Sequence, residues 1–284
     1  MKTNLIFKLL LACSSFAVCA VAAPEAAEPV TPTERIVLFD AATRDLSAFY
    51  TWLPKFGHDD LDGVFTIVER IDGAPAIRIS GQHWGGLLTR AAYANYRLVA
   101  EYRWGLLTWQ PRRDRTRDGG VLFHCQGEPG NSAPDFRGPW MQCVEYQIIE
   151  GGAGDLILVE GHYPDPKILL FPSLHTTIVP GTRRWDPAGT PVVLKEGRHR
   201  TDWQHKDPNW KDKLGFCGTN DVEKPFGDWN RLEAIVDGGS VTYLLNGVTV
   251  NQGRDGSLKA GRILLQSESA EIYFHMVELQ PLQR

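Results

Sequence analysis

From Ile36 to Leu279 the chain is cut into short runs of mostly β-forming residues, several of them cleanly alternating apolar with polar, with turn residues between one run and the next. The runs are 36–39, 64–68, 76–79, 96–104, 120–125, 144–149 and 156–159, and then 229–236, 241–245, 263–266 and 272–279. A period of two sends successive side chains to opposite faces of an extended strand. No long stretch keeps the period that an amphipathic helix requires. Many short strands separated by turns predict an all-β antiparallel sandwich. Asn246-Gly247, between two such runs, has the composition of a type I′ hairpin turn.

The segment 96–104 alternates most cleanly. Tyr96, Leu98, Ala100, Tyr102 and Trp104 share one face, and Arg97, Glu101 and Arg103 share the other. Such a charged face is either plain solvent surface or the lining of a polar groove. Between Pro180 and Asp228 periodicity weakens, yet the stretch carries Trp185, His199, Trp203, His205 and Trp210. It reads either as a binding loop or as a satellite core beneath a long loop. The run Arg112 to Asp118 reads as a solvated, charge-rich loop, with binding of an anionic group as the lesser alternative.

The N-terminus begins with a basic stretch ending at Lys8, continues through the apolar run Leu9 to Ala20, and reaches the small residues Ala20-Val21-Ala22-Ala23. This pattern predicts a signal peptide over residues 1–23 and therefore a periplasmic or secreted protein. A lipoprotein reading through Cys13 leaves too short an apolar region before the cut. Residues 24–34, rich in Ala, Pro and Glu, are expected to form a flexible tether, and 35–284 one domain. No later run approaches the roughly 18 apolar residues of a membrane span. A formal net charge of −4 argues against a dedicated nucleic-acid binder. Three cysteines lie beyond the signal peptide: Cys125, Cys143 and Cys217. Cys125 and Cys143 stand at facing strand ends and could pair as a disulfide; Cys217 reads as a bystander.

The segment Val144-Glu145-Tyr146-Gln147-Ile148-Ile149-Glu150 puts Glu145 and Gln147 on one strand face, where a carboxyl and an amide can converge on one ligand. Taken alone, this pair is equally compatible with a solvated surface. In company with other segments it resembles the bacterial 3-keto-disaccharide hydrolase family, described also as 3-keto-glucoside-1,2-lyase and 3-keto-2-hydroxy-glucal hydratase domains. The matching pieces include Ile36-Val37-Leu38-Phe39-Asp40, Gly119-Gly120-Val121, Val144-Glu145-Tyr146-Gln147 with Ala153-Gly154-Asp155, Gly227-Asp228-Trp229-Asn230, and Leu265-Gln266-Ser267-Glu268. The resemblance runs from about Arg35 to the C-terminus.

The resemblance implies a concanavalin-like, jelly-roll sandwich with a sugar-binding groove on a concave sheet. It also implies a 3-keto-glycoside substrate, supplied by a partner glycoside 3-oxidoreductase. A ketone at C3 acidifies the C2 proton. A general base can then remove that proton and expel the C1 substituent, and water can add to the resulting glucal. On this reading Glu145 and His124 are the proton carriers. Gln147, Glu101, Arg103, Trp84, His83, Asp155 and Glu268 surround the substrate, with Trp84 stacking on a sugar ring. A divalent cation on His124 and the carboxylates is compatible with these residues, but no ligand spacing demands one. If Cys125 and Cys143 face each other, strand parity puts His124 and Glu145 on opposite faces unless a bulge intervenes.

Two other readings compete. Glu145 to Glu150 resembles the Glu-x-Asp-x-x-Glu strand of retaining sandwich glucanases, with Gln147 where the central Asp would stand. A non-catalytic glycan-binding sandwich would use the same groove without turnover.

Overall fold

The computed structural model describes residues 28–283, so the expected signal peptide and the first residues of the expected tether lie outside the described residues. The end of that tether is not free. Val30 bridges alongside Tyr93, its N–H donating to Ala92 O (2.8 Å) and its carbonyl accepting from Ala94 N (3.0 Å). This docking corrects the expected flexibility for the last part of the segment.

Two antiparallel sheets face each other. One has eight strands, in the order Val248–Gly253, Ser240–Leu245, Asn230–Asp237, Tyr96–Thr108, Ala270–Pro281, Ala74–Ile79 and Phe65–Ile71, with Ile36–Phe39 also paired to Ala270–Pro281. The other has seven, in the order Arg200–Thr201, Leu156–Val159, Cys143–Ile149, Asp118–Cys125, Arg262–Ser267, Gly85–Thr89 and Phe49–Trp52. Two short hairpins, Gly161–His162 with Leu169–Leu170 and Leu174–Ile178 with Thr190–Leu194, complete the architecture. Asn246 and Gly247 both have positive φ, 51° and 82°, as a type I′ turn requires.

The inward faces form one apolar core. Val121, Phe123, Val144, Tyr146 and Ile148 of the seven-stranded sheet meet Leu98, Ala100, Tyr102, Ala234, Tyr243 and Phe274 of the other. The Tyr146 and Tyr243 rings lie 4.4 Å apart, and each hydroxyl finds a carbonyl across the sandwich. Tyr146 donates to Leu244 O and Tyr243 to Glu145 O, both at 3.1 Å. Buried tyrosines keep their polar ends paired in this way, and the second bond pins the strand that carries Glu145. Trp203, from the long irregular segment, is also sealed in this core. That segment is therefore anchored from within.

The parity of Asp118–Cys125 breaks near its end. Leu122 pairs with Leu264, but Cys125 pairs with Arg262, so three steps on one strand oppose two on the other. His124 takes up the extra residue with φ 56°, a β-bulge. The consequence is that Cys125 turns to the same outward side as Leu122 and Cys143. Both thiols are buried and free.

Candidate active site

Across the outward face of the seven-stranded sheet, Arg200, Ile157, Glu145, Leu122, Leu264, Leu88 and Tyr50 are successive cross-strand partners. Residues directly opposite share a face, so this row shows how the face divides. Toward Tyr50 it is apolar: Leu88, Leu122, Cys125, Cys143 and Leu264 cluster with Met141, and Trp52 and Trp140 pack on them. The loop 126–142 covers this half, held by the Trp52 indole N–H on Gly138 O (3.0 Å). Toward Arg200 the face is polar. Glu145, Gln147, Asp118 and Gln266 all point there, and each is 2–6 % exposed.

Strand parity brings Glu145 and Gln147 together, as the sequence predicts. Gln147 Nε2 donates to Asp118 Oδ1, and Arg112 Nη2 holds the other Asp118 oxygen at 3.1 Å. Arg112 itself is braced by Asp212 (3.1 Å) and Thr116. The run Arg112 to Asp118 is thus solvated only at Arg113, Asp114 and Arg115. Arg112 and Asp118 are drawn into the site, and Arg117 is buried against Glu150 (2.6 Å).

Burial pushes the Glu145 carboxyl up to about 8, and the nearby Asp118 charge adds to it; Arg200 and the Gln266 amide oppose this. Burial also raises Asp118, against the pull of Arg112 and Arg200. Glu268, partly exposed on the same strip, is held well above the usual carboxylate range by burial and by the charges of Asp118 and Glu145. Three carboxyls thus share the field of two arginines, and Glu145 is protonated at neutral pH. The linkage has a definite sign. A folded value of about 8 against an ordinary 4.5 means that Glu145 favours the fold fully below 4.5 and loses that contribution as pH rises through 8. Glu145→Gln is therefore expected to leave Tm unchanged at pH 4.5 and to raise it by about 5 °C at pH 8.5, as measured by calorimetry. An equal shift at both pH values would contradict the assignment.

Asp155 lies beneath the site rather than in it. It is fully buried, bound by Lys206 and by Arg200 (2.5 Å), and its Oδ1 accepts from Trp203 N (2.7 Å). These partners hold its pKa below the ordinary value against desolvation. Its role is to fix Arg200, which faces Glu145. Trp84 is partly exposed, with its ring stacked on Trp140 at 6.2 Å and its N–H on Ser269 Oγ (2.7 Å). Its neighbour His83 turns to Asp62 on the rim (2.7 Å).

Three expected site residues are displaced. Burial lowers His124 to about 4, and neither ring nitrogen has a hydrogen-bond partner. Its ring meets Phe123 (5.4 Å) and the Gly238 backbone of the opposite sheet. The bulge has turned it between the sheets, on the opposite face of the seven-stranded sheet from Glu145. A cation shared by His124 and these carboxylates does not fit this arrangement. Among the described residues, no group of three or more His, Cys, Asp and Glu side chains is arranged to hold a metal. Glu101 and Arg103 lie on the outward face of the eight-stranded sheet. There Glu101 pairs with Arg231 (3.1 Å) and His275, and Arg103 with Asp72 (2.5 Å). They belong to a surface ion-pair lattice on the far side of the molecule.

Glu150 turns away as well, its oxygens taken by Arg117 and by Gly215 N (2.8 Å). Glu145 and Glu150 thus do not form the closely spaced carboxyl pair of a retaining glycosidase. The larger surface cavities, about 550 Å³ around Tyr50 and His58 and about 460 Å³ around His175 and Gln252, lie away from this strip. Neither gathers carboxyls with raised pKa values; those lie in the polar strip.

A β-sandwich with a buried acid–base strip, flanked by exposed tryptophan on one sheet face, has the features of a carbohydrate-active protein. A family model for the 3-keto-alpha-glucoside-1,2-lyase-like domain matches residues 34–280, and the chain belongs to that family. No curated protein sequence matches it. It is similar to the crystal structure of a "putative glycosyl hydrolase" from Parabacteroides distasonis ATCC 8503, at 16% identity and TM-score 0.47, covering 88% of this chain and 94% of that one. It is also similar to a protein of unknown function with a galectin-like fold from Bacillus subtilis, at 12% identity and TM-score 0.46, covering 90% and 99%.

Proposed function

We propose that this protein cleaves glycosides already oxidised at C3, using the outward polar strip of the seven-stranded sheet. The observation that carries the reading is Glu145: a buried carboxyl that keeps its proton at neutral pH, set beside a second carboxyl, Asp118, that two arginines draw toward ionisation. Carboxyls with different proton affinities in one site divide into acid and base. Asp118 takes the C2 proton, which the C3 ketone acidifies. The C2–H electrons form the C1=C2 double bond, and the C1–O bond breaks as Glu145 protonates the departing alcohol. The products are the alcohol and a 2-hydroxy-3-keto-glucal. In the second half Glu145, now ionised, takes a proton from water; the hydroxide joins C1 and Asp118 returns a proton to C2. The balance is hydrolysis, and each carboxyl ends as it began. Arg112 and Arg200 stabilise the enolate that develops at the C3 oxygen.

The test is incubation with methyl 3-keto-glucoside in deuterated water, followed by NMR. Release of methanol with deuterium at C2 of the sugar is expected, and methyl glucoside itself should be untouched. Saturable glycan binding without turnover would establish a binding module instead. Hydrolysis of the unoxidised glucoside would point to a conventional glycosidase.

Gly120 has a specific part in this geometry. A Cβ there would stand 2.7 Å from Gln266 Oε1 and 2.9 Å from Glu145 Oε1, forcing both side chains to move. Displacements of this size in an active site cost about 10²-fold in rate. Gly120→Ala is expected to lower kcat/KM by about that factor while a melting curve shows a cooperatively folded protein. Activity at the wild-type level would mean that the gap serves no purpose in catalysis.

A further inference from the structure

We propose that Gln266 is the substrate-positioning residue of this strip, its side-chain carbonyl accepting the hydrogen of the C2 hydroxyl beside the bond that Glu145 cleaves. This inference rests on the 3-keto-glycoside reading and adds the group by which the sugar is held.

Two independent observations converge on Gln266. The first is an orphaned acceptor. The residue is 2 % exposed, yet its Oε1 is buried with no hydrogen-bond partner. Leaving such an atom unpaired forfeits its hydration without compensation, and native structures keep few of them without a reason such as a ligand. The second is the pair of glycines that flank it. A strand residue is normally flanked by side chains on both neighbouring strands. Gln266 instead pairs with Gly86 on one side, and the register of the other pairing, Leu264 to Leu122 and Leu265 to Val121, sets it beside Gly120. Neither neighbour carries a side chain of its own: the Leu264 side chain lies over Gly86, and the Gln266 and Glu145 oxygens themselves lie over Gly120. Glycine inside a strand often marks a place where a ligand or another backbone approaches closely.

The Gln266 amide also lies against the Glu145 carboxyl, close enough to influence its proton affinity. Their Oε1 atoms both lie close over Gly120, 2.7 Å and 2.9 Å from where a Cβ would stand. Two oxygens side by side match two vicinal oxygens of a sugar. With Glu145 on the C1 oxygen, the oxygen next to it is the C2 hydroxyl. Asp118 is on the same strip, where the C2 proton departs. Gln147 cannot take this role, because its amide is committed to Asp118.

The experiment measures binding separately from turnover. Tryptophan fluorescence, reporting on Trp84 and Trp140, would be titrated with methyl 3-keto-glucoside and with its 2-deoxy analogue, using the whole protein. Wild type is expected to bind the hydroxylated sugar about tenfold more tightly, the equivalent of one net hydrogen bond. Gln266→Met, which keeps the shape and removes the acceptor, is expected to bind both sugars equally, at the weaker level. Gln266→Glu retains an acceptor oxygen and should retain the preference, and it serves if the Met variant is poorly folded. Undiminished discrimination in Gln266→Met, or none in wild type, overturns the assignment. Discrimination that depends on Gln266, with no methanol released, would uphold the binding role and refute the proposed reaction. Absence of saturable binding by wild type would refute both.

Discussion

Glu145→Gln is expected to lower kcat on methyl 3-keto-glucoside by about 10²–10⁴-fold, the usual contribution of a positioned proton carrier. The substitution keeps the shape and one hydrogen-bonding oxygen of a residue that is 5 % exposed, so the loss isolates the proton. The identity of the leaving group supplies an internal control. An alcohol as basic as methanol must be protonated as it departs, whereas p-nitrophenolate leaves unaided. The deficit should therefore shrink markedly with the 3-keto p-nitrophenyl glucoside. In wild type, activity toward the methyl glycoside should fall as pH rises through about 8, where Glu145 ionises. The p-nitrophenyl substrate should lack that limb. Equal deficits for both substrates would move Glu145 from acid to another role, and equal rates for wild type and variant would remove it from the mechanism.

Asp155→Ala is expected to produce the largest loss of stability among single substitutions near the site. Removing this fully buried carboxylate leaves Lys206 and Arg200 without their shared partner; they sit 7 % and 23 % exposed at the side chain. It also leaves Trp203 N without its acceptor. Breaking a buried ion pair from one side costs about 3–5 kcal/mol, or about 10 °C in Tm for a domain of this size. Asp202, which also approaches both cations, at 3.4 and 3.5 Å, retains some compensation and sets the lower end of that range. Thermal unfolding by circular dichroism measures the effect, and a shift within about 1 °C would show that Asp155 is not the anchor of this cluster.

The extent to which the sequence reveals this protein can be judged strand by strand. Alternation located most of the strands because a half-buried sheet enforces polarity residue by residue. It missed Gly85–Thr89, the strand next to it, Phe49–Trp52, and the short strands between Gly161 and Thr201. Every residue of Gly85–Thr89 is buried, one side in the core and the other beneath the loop 126–142, so the alternating signal vanishes. Glu145 with Gln147 was legible as a pair by the same period-two rule.

Parity tells which residues share a face, but not which side of which sheet that face becomes. The charged face of Glu101 and Arg103 was correctly separated from Tyr102 and Trp104, yet it lies outside the eight-stranded sheet and far from the chemistry. His124 illustrates a second limit. One residue in the left-handed region, φ 56°, inverts the parity of everything beyond it. That inversion brings Cys125 to the side of Cys143 and sends the histidine between the sheets. Nothing in the local sequence Phe123-His124-Cys125 announces a bulge, because it arises from the pairing with Arg262–Ser267, more than a hundred residues later.

What the sequence determined by itself is therefore the local and periodic part: the β class, the type I′ turn at Asn246-Gly247, the family, and the choice of Glu145 and Gln147 as a pair. The tertiary structure decided which charges keep that pair company. Asp118, Arg112 and Arg200 come from a loop and from a long segment whose polar residues look solvated when read in order. They become a site only because strand order sets Arg200, Ile157 and Glu145 in one row. Burial then raises the Glu145 pKa to about 8, and desolvation is a property of the packed environment that a list of residues does not contain.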